Sequence, residues 1–162
     1  MKKYGLGVFA GSFDPFTKGH LEVLNLALEH FAEVVILVMK NPNKEYMFCL
    51  RERINLIAEI VSEYEKVRVD TYDGYTVDYA ARVGAKKLIR GIRSESDVHY
   101  ESELAAANRS LNASIDTVLY WVDAKYENVS STLVKRMYLD GQDISEYVPS
   151  EVIKALSKKL NH

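Results

Sequence analysis

Short apolar runs along this chain alternate with stretches in which apolar residues recur every three or four positions. "YGLGVFA", "EVVILVMK", "KVRVDTY", "KKLIRG" and "DTVLYWV" are rich in Val, Ile, Leu and aromatic residues, the composition of strands. The second is apolar from Val34 to Met39 without alternation, as a strand covered on both faces requires. Between the runs, Leu21, Leu24, Leu28 and Phe31 repeat at helical spacing, and so do Leu50, Ile54, Ile57, Ala58 and Val61. "TVDYAARVG" predicts a helix that Gly84 ends just ahead of the next strand. After the fifth strand, "SSTLVKRMYLDG" and "PSEVIKALSKKL" predict two more helices. The last has Ser150 as N-cap behind Pro149, with Val152, Ile153, Leu156 and Leu160 as its stripe.

Strands and helices in this alternation imply right-handed crossovers and a parallel sheet. The expectation is a single doubly wound, Rossmann-like α/β domain over residues 1–162, with about five strands. Ligands in such sheets bind beyond the carboxyl ends of the strands, where helix N-termini turn unpaired N–H groups toward anions. Residues 11–20, 40–49, 73–76, 90–97 and 124–132 are therefore the loops to read.

Composition narrows the function classes. The net charge of −2 gives no overall electrostatic case for binding nucleic acid or a membrane. The single cysteine, Cys49, cannot form an intramolecular disulfide. No apolar stretch approaches the roughly 18 residues of a membrane span, and the N-terminal run is too short and glycine-broken for a signal peptide, so the expected location is cytoplasmic.

The loop "GSFDPFTKGH" (Gly11–His20) holds more chemistry than a turn needs. It is neither a P-loop, since no G-x-x-x-x-G-K-[ST] occurs, nor a dinucleotide fingerprint, since Gly5 and Gly7 fall inside the first strand. Each residue alone has an ordinary explanation: Ser12 as a turn cap, Asp14-Pro15 as a turn, His20 as a satisfied histidine. All of them in one loop at the binding edge favour a phosphate grip, with a helix beginning near Lys18 and His20 in its first turn. In "LIRGIRSESD", Arg90 and Arg93 flank Gly91 at a strand end and suit phosphate oxygens by their forked donors. Lys44 in "NPNKEYMF" adds a cation, and Ser130, Ser131 and Thr132 supply hydroxyls at a helix start. No covalent nucleophile accompanies them: Cys49 has no evident base, and no G-x-S-x-G elbow occurs. One histidine, two arginines, a lysine and several hydroxyls suit phosphoryl or nucleotidyl transfer, in which the substrate brings the nucleophile and the protein positions it.

"TKGH" (Thr17–His20) fits the T/H-x-G-H signature of nucleotidylyltransferases, and "VSSTLVK" (Val129–Lys135) resembles their second signature. Over nearly its whole length the chain resembles the bacterial phosphopantetheine adenylyltransferases, with "GSFDPFTKGH", "NPNKEYMF", "RERINLI", "LIRGIR", "ANRSL" and "SSTLVK" as matching landmarks. The resemblance implies ATP and 4′-phosphopantetheine as substrates, dephospho-coenzyme A and pyrophosphate as products, Mg2+ carried by the ATP phosphates, and a homohexamer. It also implies residue roles. Ser12 and His20 would hold the ATP phosphates, with His20 stabilising charge at the α-phosphate, and Phe13 would lie beside the nucleotide through its backbone. Gly91, Ile92 and Arg93 would line the nucleotide, with Glu101 near its adenine end. Tyr126, Glu127, Asn128, Val129, Ser130, Ser131 and Thr132 would close over the phosphates. Lys44 and Arg90, with Ser12, would hold the phosphate of the pantetheine substrate, and Thr76 would border its arm; His20, Lys44 and Arg90 are thus the expected catalytic residues.

The chain departs from the family pattern at Tyr75-Thr76, where two apolar residues are common, at Val98 and His99 within "DVHYE", and at Ser12, usually threonine. Two alternatives share the motifs. One is a related nucleotidylyltransferase acting on another phosphate ester, such as a glycerol-3-phosphate cytidylyltransferase or a relative using nicotinate mononucleotide. The other is a nucleotide-binding module without turnover.

Overall fold

A computed structural model describes residues 2–160. Its centre is one five-stranded sheet, β1 (Tyr4–Gly11), β2 (Phe31–Val38), β3 (Val67–Thr71), β4 (Lys87–Ile92) and β5 (Asp116–Trp121), in the spatial order β3-β2-β1-β4-β5. Every pairing is parallel; Gly7 stands opposite both Val34 and Lys87, and Ile89 opposite Val118. The helices are α1 (Lys18–Leu28), α2 (Leu50–Ile60), α3 (Thr76–Val83), α4 (Glu95–Leu111), α5 (Ser131–Leu139) and α6 (Ser150–Leu160). The expected doubly wound α/β domain is what the chain forms, with all five strands where the apolar runs lie.

The uninterrupted apolar run of β2 is explained by its two covered faces. Val34, Ile36 and Val38 join α1 and α2 residues in one core with Phe9, Leu24 and Ile57. Val35 and Leu37 face the other way, into a second core with Val77 and Ala80 of α3 and Leu88 of β4. A third core lies outside α2, where Leu56 meets Val134, Val148, Val152 and Leu156 and fastens the two C-terminal helices. Gly7 is needed for the close fit of β1: a Cβ there would come within 2.6–2.7 Å of Ile89 Cδ1 and the Phe31 ring. Gly84 ends α3 in the left-handed conformation, at φ 78°, as its sequence position predicts.

Three details differ from the expectation. Phe31 is not the last residue of the α1 stripe but opens β2, because α1 stops at Leu28 and the chain turns at Glu29–His30. Ser150 is the first residue of α6 rather than its cap, its hydroxyl donating to Glu151 at 3.4 Å. Helix α4 was signalled by no apolar stripe, since Glu101 is its one fully buried residue.

The strand order reverses between β1 and β4: the chain builds outward through β2 and β3, then returns to the other side of β1. The loops after β1 and β4 therefore diverge and leave a crevice, the place this architecture offers a ligand. Replacing Gly7 by Ala should lower the unfolding free energy by roughly 1–3 kcal/mol through overpacking, measured by urea denaturation, with the denaturant slope unchanged.

Candidate active site

A cleft of about 750 Å³ opens at that crevice. It is lined by Ser12 and Phe13 after β1, His20 on α1, Lys44 before α2, Thr76 on α3, Arg90, Gly91 and Arg93 at the end of β4, and Glu101 on α4. Val129, Ser130, Ser131 and Thr132 enter from the start of α5. Four of the expected residues stand apart from the lining. Ile92 is buried at the end of β4, and Tyr126 sits in a short 3-10 turn whose Cβ lies 3.9 Å from where a Gly19 side chain would begin. Glu127 and Asn128 are exposed beside it, with the Glu127 carbonyl accepting from Arg93 Nη1 at 3.5 Å.

The "TKGH" spacing works through the start of α1. Thr17 is the N-cap; its Oγ1 accepts from the His20 N–H at 3.3 Å, and His20 Nδ1 accepts from the Thr17 N–H at 2.9 Å. This is the reciprocal capping box, with histidine in the place usually held by Glu or Gln. An Nδ1 that accepts a backbone N–H must carry its ring proton on Nε2, so the free edge of the imidazole is a donor. The ring packs on Phe13 and Phe16, with centroids 5.0 and 5.3 Å away. That burial, reinforced by the nearby charges of Arg90 and Arg93, lowers the His20 pKa from 6.5 to about 3. At neutral pH His20 is thus a neutral donor and not an imidazolium.

Phe13 itself has φ 51°, in the left-handed region that a bulky side chain rarely adopts. The loop is held in that shape by Asp14, 4% exposed, whose Oδ2 accepts from the Met47 N–H at 2.8 Å and whose Oδ1 accepts from the Phe48 N–H at 2.9 Å. Lys135 of α5 donates to the same carboxylate at 3.1 Å. Asp14 shapes the loop, as expected, but does so by joining three segments far apart in sequence.

Arg90 is fixed as a fork. Its Nε and Nη2 donate to the two oxygens of buried Glu101 at 2.8 and 2.7 Å, and its Nη1 to the Ala10 carbonyl at 2.8 Å. Burial opposes the Arg90 charge, yet Glu101 more than offsets it and the pKa is raised. A guanidinium has five N–H groups; with three engaged, one remains on each terminal nitrogen for a ligand. Arg93 is tied more loosely, its N–H donating to Asp97 at 2.9 Å and its Nε lying 3.6 Å from the same carboxylate.

Arg53, 1% exposed, was not among the expected site residues. Its Nη1 donates to the carbonyls of Ser12 at 2.8 Å and Met39 at 3.0 Å, and its Nε to Phe48 at 3.1 Å, closing the carbonyl ends of β1 and β2. The signal was present in "RERINLI", where Arg53 shares the helical face of Leu50, Ile54 and Ile57. A charged residue on an apolar stripe is buried only if something receives its hydrogens. Lys135 and Tyr46 also line the cleft without having been singled out.

The donors facing the cleft are imidazole, guanidinium, ammonium and hydroxyl groups, the set that receives phosphate oxygens. Asp14 and Glu101 are committed to internal partners, and among the described residues no group of three His, Cys, Asp or Glu could hold a metal ion. A divalent cation accompanying a nucleotide triphosphate would fit such a cleft as part of the ligand. Because the folded His20 pKa lies below its unfolded value, stability is full above pH 6.5 and falls as pH drops toward 3. Between pH 7.5 and 5 the unchanged protein should lose about 1–2 kcal/mol of unfolding free energy that His20→Asn does not lose, read from urea titrations of both proteins.

Comparison with known proteins bears on the same residues. A family model described as cytidylyltransferase-like matches residues 8–137, which span the whole cleft. A phosphopantetheine adenylyltransferase from Alkaliphilus metalliredigens is 42% identical over 154 residues, 95% of this chain and 98% of its own length. Another, from Lachnoclostridium phytofermentans, is 40% identical over 156 residues, 96% of each chain. The crossover after β1, the capped histidine and these likenesses agree, and the chain belongs to the cytidylyltransferase-like family, among the phosphopantetheine adenylyltransferases.

Proposed function

We propose that this protein transfers the adenylyl group of ATP to 4′-phosphopantetheine, giving dephospho-coenzyme A and pyrophosphate. The observation that carries the reading is His20, a neutral Nε2–H donor locked by the helix start, in the same cleft as Lys44, Arg90 and Arg93. Such a set offsets the repulsion between two anions and leaves the chemistry to the substrates. An oxygen of the 4′-phosphate forms a bond to the α-phosphorus, the bond from that phosphorus to the leaving oxygen breaks, and pyrophosphate departs. The attacking phosphate is ionised at neutral pH and needs no general base. His20 donates to an α-phosphate oxygen as charge builds there. No covalent enzyme intermediate forms. Mg2+ carried by the ATP phosphates would offset the charge on the departing pyrophosphate.

Lys44 and the two N–H groups Arg90 keeps free orient the phosphate of the acceptor, with Ser12 beside them. Thr76 borders its arm, near a small side pocket of about 70 Å³ shared with Leu104 and Asn108. Gly91 and Arg93 lie along the nucleotide, with Phe13 offering its backbone and the α4 turn at Glu101 toward the adenine. Residues 129–132 cover the phosphates with the N-terminus of α5. The working form is a cytoplasmic homohexamer. Supporting this, α4 buries only Glu101 of its seventeen residues, and Leu111 and Trp121 are more than half exposed. No helix among the described residues is long and apolar enough to cross a membrane.

Pyrophosphate release with Mg2+ should require both ATP and 4′-phosphopantetheine; release with CTP and glycerol-3-phosphate instead would overturn the substrate assignment. In that assay His20→Ala should lower turnover by roughly 10²–10³-fold, the loss of one donor to a developing oxyanion, with a smaller effect on ATP affinity. Lys44→Ala should raise the KM for phosphopantetheine by about tenfold or more and leave that for ATP within about twofold.

A further inference from the structure

Lys44 sits on a turn that its own backbone closes, its N–H donating to the Asn41 carbonyl at 3.0 Å while Asn41 Oδ1 accepts from the Asn43 N–H at 2.9 Å. Tyr46 leaves this turn and folds back beneath it. Its ring lies over the buried Arg53 guanidinium, 4.0 Å from Cζ to the centroid, and its hydroxyl accepts from the Asn41 N–H at 2.8 Å. The same hydroxyl is 3.4 Å from Ser12 Oγ. A phenol has one proton to give. With the Asn41 N–H already on its oxygen, the phenol has its proton free to give to Ser12 Oγ; either hydroxyl could donate across that 3.4 Å, and donation by Tyr46 leaves the Ser12 proton for the cleft.

We propose that Tyr46 is a positioning residue for the phosphate acceptor: the chain Asn41 N–H to Tyr46 O–H to Ser12 O–H turns the Ser12 hydroxyl into a committed donor toward the phosphate held by Lys44 and Arg90. An unconstrained hydroxyl rotates and serves equally as donor or acceptor. The dianion of a phosphate ester accepts only, so fixing the rotor in advance removes an ordering cost from binding. Arg53 completes the arrangement by holding the Ser12 carbonyl at 2.8 Å while supporting the Tyr46 ring, so one buried cation sets both the backbone and the hydroxyl of residue 12. The 3.4 Å separation is long for two hydroxyls.

The identity of the phosphate ester rests on the proposed function; the relay itself concerns any phosphate at that position. The test is a double-mutant cycle of Tyr46→Phe and Ser12→Ala, with affinity for inorganic phosphate read by 31P NMR titration and for 4′-phosphopantetheine by calorimetry. Tyr46→Phe keeps the ring on Arg53, so its melting temperature should stay within about 2 °C of the unchanged protein. Each single variant should weaken both ligands about five- to tenfold, the size of one hydrogen bond to a charged group, and the double variant should be no weaker than Ser12→Ala alone. Losses that multiply in the double variant, an unaltered affinity in Tyr46→Phe, or no phosphate binding by the unchanged protein would each overturn the relay. Coupling seen with inorganic phosphate in a protein that ignores phosphopantetheine would uphold the relay and overturn the substrate assignment alone.

Discussion

The cleft depends on one buried carboxylate. Asp14 accepts the backbone N–H groups of Met47 and Phe48 and the ammonium of Lys135, and so binds the loop after β1 to the loop before α2 and to α5. Each of those segments brings a ligand-facing group: Ser12 and His20, then Lys44, then the hydroxyls of residues 130–132. A carboxylate stripped of water costs free energy unless its oxygens receive hydrogen bonds. The three segments satisfy that need only when they are together, so the same requirement that keeps the charge tolerable also assembles the site. Arg53 does the complementary task with the opposite sign, gathering the Ser12, Met39 and Phe48 carbonyls at strand and loop ends that the sheet itself leaves without partners.

Above this frame the charge is arranged asymmetrically. Arg90 is neutralised by Glu101 and Arg93 leans on Asp97, yet both retain enough field to disfavour a proton on His20. The cationic residues therefore do two things at once. They make the potential in the cleft positive, and, adding to burial, they keep the imidazole in the form that can lend a hydrogen bond without itself adding a full charge. The topology allows this because β1 and β4 are neighbours in the sheet while their loops part in opposite directions.

Much of this was legible in the residues. The apolar run from Val34 to Met39 marked a strand covered on both faces, and Gly84 marked the end of α3 by its need for a left-handed turn. The groups that line the cleft could be gathered because the sheet rule names the loops in advance, and because His20, Lys44, Arg90 and Arg93 stand in those loops. What escaped was held by long-range contact. Helix α4 carries a weak apolar signal, since the one residue it buries fully is Glu101, paired with Arg90. Asp14 looked like a turn residue because its partners lie 33 and 121 positions away. Arg53 was hidden in plain view on an apolar stripe; reading it needed the knowledge that three carbonyls converge there. The tautomer of His20 follows from a hydrogen bond, and no spacing displays one.

The cap at the start of α1 has an evolutionary consequence. Position 20 is the third residue of a helix whose N-cap is Thr17, where a glutamate would ordinarily close the capping box and its charge would suit the helix dipole. Histidine closes the same box through a weaker, uncharged acceptor and must be kept neutral at the expense of acid stability. A sturdier helix cap and a neutral donor at the cleft therefore ask for different residues at this position. A stabilising change at the helix start is open to the protein at any time and would remove that donor. The "TKGH" stretch is in that sense a local sacrifice of robustness, tolerated because the three cores around the sheet carry the fold without it.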